Sequence, residues 1–81
     1  MLTIRYFAGA RAAAGVAEER LPVTQITLPE LTAALTDRHG RRLGEVLSVA
    51  SFLVDGAVWR APERQLPETA VVEVLPPFAG G

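Results

Sequence analysis

With 81 residues, 49% of them apolar and none of them cysteine, the chain can bury one core and can neither staple it with disulfides nor offer thiolates to a metal. Eight basic against nine acidic residues leave a net charge of −1 with no charge run, which argues against the basic patch that grips nucleic-acid phosphates, so no nucleic-acid partner is expected. No apolar stretch approaches the roughly 20 residues that span a bilayer, and Arg5 and Arg11 break the first apolar run, so a cytoplasmic chain with no membrane partner is expected.

Leu2, Ile4, Tyr6 and Ala8 alternate with Met1, Thr3, Arg5 and Phe7, the period of a first strand covered on one face. Residues 1 to 17 hold arginine and no acid, as transit peptides do, but the alternation favours the strand. Gly9 and Gly15 then bracket an alanine-rich segment with room for a short turn of helix. Val16 to Val23 returns as a polar strand, and Pro22, which cannot donate to a ladder, assigns it to an edge.

Thr27-Leu28-Pro29-Glu30 has the form of a capping box, and Leu28, Leu31, Ala34 and Leu35 follow at helical spacing. Gly40 supplies a left-handed stop after His39, so the main helix is predicted over 28–39. Leu43, Val46 and Leu47 predict one or two further helical turns. Asp55-Gly56 between two apolar runs predicts a tight hairpin, because a type I′ turn needs positive φ at both central residues. A loop containing Pro62 and Pro67 leads to Ala70–Leu75, whose β-branched run reads as the last strand. The order is that of an α+β roll, a mixed sheet wrapped around one main helix over residues 1–75, with residues 76–81 as an extended tail.

That tail reads PPFAGG. Pro76-Pro77 ends the strand and favours the stiff polyproline conformation, aiming the last four residues away from the body. Phe78 to Gly81 adds a reach of roughly 13 Å. Gly80 and Gly81 have no Cβ to obstruct a narrow channel or crowd the terminal carboxyl carbon. No charged residue comes after Glu73, unlike a plain solvated tail. All eight basic residues are arginine, so the chain has no lysine amine for an activated carboxyl group to acylate.

The order of elements, FAGARAAAG after the first strand and PPFAGG at the end resemble the small subunit of molybdopterin synthase, a sulfur carrier of the ubiquitin-like β-grasp superfamily, over the whole chain. The resemblance implies that an activating enzyme uses ATP to adenylate the Gly81 carboxylate, and that a sulfur donor converts it to a thiocarboxylate. It further implies that the tail, Pro76, Pro77, Phe78, Ala79, Gly80 and Gly81, enters the active site of the large synthase subunit in a two-plus-two heterotetramer. There the sulfur would pass to cyclic pyranopterin monophosphate. The catalytic residues would lie on the partner, and this chain alone would be no enzyme and bind no cofactor. Consistent with that, the sequence has no phosphate loop, nucleotide fingerprint or carboxylate dyad.

In a β-grasp sheet the first and last strands lie side by side. Arg5 and Glu73 would then pair, and Phe7 and Leu75 would form an exposed apolar patch continuous with Phe78, fit to dock the partner. Arg11 matches the family's arginine after the first strand and is a candidate partner contact; a solvated loop arginine is the plain alternative. His39 stands at a helix C-terminus, which favours a cation, without the companions that catalysis or metal binding needs, and Trp59 reads as packing. Three other readings share the tail: a carrier for thiamine thiazole or cysteine formation, a ubiquitin-like modifier, and an interaction module with an inert terminus.

Overall fold

The alternation at the start of the chain becomes β1 (Leu2–Tyr6), whose Leu2, Ile4 and Tyr6 are buried. It stops short of Ala8, which is exposed and opens α1 (Ala8–Ala14) with φ +49°. Gly9 therefore lies inside a two-turn helix rather than breaking it. Gly15, at φ +80°, supplies the left-handed cap. β2 (Glu18–Leu21) is the predicted edge strand.

α2 (Leu28–His39) has the predicted bounds, and its capping box is complete: Thr27 Oγ1 accepts from the Glu30 amide at 3.3 Å and Glu30 Oε1 accepts from the Thr27 amide at 2.9 Å. Leu31 and Leu35 are buried, whereas Ala34 faces out. Gly40 has positive φ but extended ψ (105°, 177°), so it turns the chain directly into α3 (Arg41–Leu47) instead of closing α2 with a left-handed residue. α3 can approach α2 closely because residue 44 is glycine: a Cβ there would stand 2.8 Å from Thr36 Cγ2.

β3 (Ser51–Val54) and β4 (Ala57–Val58) pair across Asp55 and Gly56, at φ +50° and +88°, the positive pair that a type I′ turn demands. β5 (Ala70–Leu75) completes a mixed five-stranded sheet in the order β2-β1-β5-β3-β4, with β1 and β5 parallel at its centre. Inner-face residues Leu2, Ile4, Tyr6, Val72 and Val74 share one core with Leu31 and Leu35 of α2 and Leu43 and Leu47 of α3. At about 1.5 to 3 kcal/mol for each fully buried large aliphatic side chain, this layer is the main source of stability. The loop before β5 is pinned to it by buried Leu66, whose amide donates to the Ile26 carbonyl at 2.8 Å. Half-buried Trp59 packs against the same core. The computed structural model describes residues 1–77, and no helix among them is long and apolar enough to cross a membrane.

Candidate functional site

The parallel pairing of β1 with β5 sets Arg5 against Glu73 and Tyr6 against Val74. Because the side-chain period of a strand is two, Tyr6 and Val74 point into the core while Arg5 and Glu73 share the outer face. Arg5 Nη1 lies 3.4 Å from Glu73 Oε2, and its Nε lies 3.6 Å from Glu18 Oε1 on the neighbouring strand. The same guanidinium stands 5.6 Å from the centroid of the Phe7 ring, within cation–π range. The expected Arg5–Glu73 pair is present, with a second carboxylate and an aromatic face added to it.

Phe7 leaves β1 in extended conformation, with φ −126° and ψ 149°, and caps α1 through its backbone: its carbonyl accepts from the amides of Ala10 at 3.0 Å and Arg11 at 3.4 Å. Phe7 and Leu75 are each half-buried rather than fully exposed. Among the described residues, the large apolar side chains more exposed than these on the outer face are Val58, at 50%, and Val71, at 37%. Pro76 is half-buried and Pro77 exposed, so the chain leaves the body at the end of the sheet where Phe7 and Leu75 stand. The Arg11 side chain is exposed, one turn into α1, and makes no ion pair among the described residues. Of the predicted site residues, Phe78, Ala79, Gly80 and Gly81 lie outside the described residues.

A profile of the ThiS family matches residues 4–81, nearly the whole chain and through both terminal glycines. The chain belongs to the ThiS family. Similar solved structures carry the same fold. SAMP1 from Haloferax volcanii superposes at TM-score 0.80 with 21% identity, covering 99% of this chain and 98% of that one. A candidate molybdopterin converting factor subunit 1 from Pyrococcus furiosus gives 0.76 at 23% identity, covering 95% and 97%. A chain in the complex of subunits 1 and 2 of the molybdopterin-converting factor from Helicobacter pylori gives 0.70 at 22%, covering 99% and 97%. The fold is therefore the ubiquitin-like β-grasp. No curated protein matches the chain.

A second polar cluster in this ThiS-family chain lies on the opposite side of the sheet. Glu19 of β2 accepts from the Tyr6 hydroxyl at 2.6 Å, pairs through the same Oε2 with His39 Nε2, and meets Arg38 Nε at 2.7 Å through Oε1. Burial alone would raise the Glu19 carboxyl, but the hydrogen bonds from Tyr6 and His39 and the charges of His39 and Arg38 outweigh it and hold the group below its ordinary value. Burial, reinforced by Glu19, pushes the Tyr6 hydroxyl far up, so it stays a neutral donor. The rings of Tyr6 and His39 meet edge to face, centroids 5.9 Å apart.

His39 thus has structural partners, a carboxylate and an aromatic edge, that its position in the sequence did not disclose. The signal available was parity: Glu19 alternates in step with Leu21, which is buried. The three donors engage both oxygens of one carboxylate and clamp the edge strand to the end of α2. Among the described residues no group of three or more histidine, aspartate or glutamate side chains is disposed to hold a metal.

Proposed function

We propose that this ThiS-family chain is the sulfur-carrying small subunit of molybdopterin synthase, with the Gly81 carboxylate as its reactive group. The observation that carries the reading is the family match running through Gly80 and Gly81, on a body whose central strand hands the chain to Pro76 and Pro77. The chemistry fits the residues. A carboxylate is a poor electrophile until one oxygen becomes a good leaving group, and glycine leaves the carbonyl carbon unhindered.

In the activating enzyme, a Gly81 carboxylate oxygen attacks the α-phosphorus of ATP and expels pyrophosphate. Sulfide equivalent from a donor then attacks the acyl carbon, AMP departs, and a thiocarboxylate remains. The tail carries that sulfur into the large subunit, where the thiocarboxylate sulfur bonds to a carbon of cyclic pyranopterin monophosphate and water then cleaves the acyl–sulfur bond, returning the Gly81 carboxylate. Phe7, Leu75, Pro76, Pro77, Phe78 and Ala79 seat the carrier on its partner, with Arg11 beside them. ATP is bound by the activating enzyme and the catalytic residues belong to the partner. The resemblance to a chain of the Helicobacter pylori two-subunit complex supports a large-subunit partner.

The test is the mass of the tryptic peptide Gln65–Gly81 after incubation with ATP, the host's activating enzyme and a sulfur source. Exchange of one carboxyl oxygen for sulfur adds about 16 Da, and this peptide has no methionine, tryptophan or cysteine whose oxidation would mimic it. A shift confined to Gly81 is expected. An unshifted peptide, with the enzyme active on a control carrier, rejects the sulfur-carrier reading. Transfer of the sulfur to the synthase large subunit, rather than to a thiazole-forming partner, then identifies the pathway.

A further inference from the structure

Among the described residues, three that are not glycine have positive φ: Ala8, Gln25 and Asp55. Asp55 is required to do so by its hairpin turn, and aspartate tolerates the left-handed region well. Ala8 has no polar side chain to compensate, and a glycine would take φ +49° without steric penalty. Its neighbours explain what the conformation accomplishes. Tyr6 is still in register with Val74, and Phe7 is still extended, so the turn at Ala8 makes Phe7 the last residue of β1's path, at the end of the outer face. The same turn starts α1 within one residue, which brings the amides of Ala10 and Arg11 onto the Phe7 carbonyl.

We infer that Ala8 is a positioning residue for partner docking: its strained backbone fixes Phe7 beside Arg5 and ties the first turn of α1 to the Phe7 carbonyl. The inference rests on the docking reading of Phe7 given above. Alanine at this position trades stability for order. It narrows the directions in which Phe7 can leave the strand, so less freedom is lost when the partner binds.

The experiment measures affinity for the purified large subunit of the host's molybdopterin synthase and thermal midpoint in parallel, for wild type, Ala8→Gly, Phe7→Ala and a synthetic chain with D-alanine at position 8. Glycine frees the backbone, so Ala8→Gly should weaken Kd about three- to tenfold, the equivalent of one extra side chain to immobilise, while its midpoint stays level or rises. D-alanine favours positive φ and should keep wild-type affinity. Phe7→Ala should bind more weakly than either. Wild-type affinity in Ala8→Gly alongside weak binding by Phe7→Ala overturns the positioning role and leaves the docking reading intact. Wild-type affinity in Phe7→Ala overturns the docking reading and the inference with it. A midpoint that falls in Ala8→Gly together with affinity makes Ala8 a folding residue and also overturns the inference.

Discussion

Glu19 and Glu73 each receive an arginine, from opposite faces of one sheet, and the likeness ends there. The Glu19 side chain is 10% exposed and accepts from three groups; that of Glu73 is 23% exposed and meets a single arginine that is itself 48% exposed and shared with Glu18. Depth and the number of donors, rather than the pairing itself, decide what each carboxylate contributes. The inner cluster holds secondary structure together. The outer one leaves stability nearly untouched and organises a surface.

Removing Glu19 should therefore have the largest effect. Glu19→Ala leaves the buried Tyr6 hydroxyl and the largely buried His39 without their acceptor, and a buried group deprived of its partner costs about 2 to 3 kcal/mol. In a domain of this size that lowers the thermal midpoint by roughly 10 to 20 °C, to be read by circular dichroism. A fall no larger than that caused by Glu73→Ala would erase the distinction between the two faces.

The pH dependence sharpens the same contrast. The Glu19 carboxyl titrates below its ordinary 4.5 in the folded chain, so the unfolded chain binds the proton first as pH falls. The stability it contributes is thus present above about 4.5 and lost as pH falls through the lower folded value. The difference in unfolding free energy between wild type and Glu19→Gln should shrink with acidification over that window. Glu30, also held low, first by the Thr27 amide and then by the Thr27 hydroxyl, is present in both chains and cancels. A difference that grows in acid would reverse the assigned direction.

The two faces are not equally legible in the sequence. α2 and β5 are readable to the residue because their signals are local: a capping box at Thr27, and a β-branched run closed by Pro76. α1 is longer than its flanking glycines suggest because the event that ends β1 is a backbone torsion at Ala8, and alanine gives no chemical sign of positive φ. The Glu19 cluster joins residues 13 and 20 positions apart across three elements, so in the sequence an acid in a polar strand reads as solvated and His39 as solitary. The Arg5–Glu73 pair, 68 positions apart, is accessible only through the strand order that the family resemblance supplies. Phe7 and Leu75 have the parity of the outer face, but how far each is covered depends on packing that no local pattern records.

The smallest stability effect is expected at Arg5. Its contacts, at 3.4 and 3.6 Å, are long for charge-assisted hydrogen bonds, and the guanidinium is half in water, where salt and side-chain entropy reduce an ion pair to a few tenths of a kcal/mol. Arg5→Met keeps the apolar stem and removes the charge, so its unfolding free energy should stay within about 0.5 kcal/mol of wild type. Binding is a different matter. The guanidinium stands over Phe7 and spans Glu18 and Glu73, so without it an aromatic ring loses a neighbour and two carboxylates lose their counter-charge on the proposed docking face. Affinity for the large subunit, followed by calorimetry, should drop severalfold while the denaturation curve barely moves. A loss of stability comparable to that of Glu19→Ala, with affinity unchanged, would mean that the outer face is also structural and that the partner docks elsewhere.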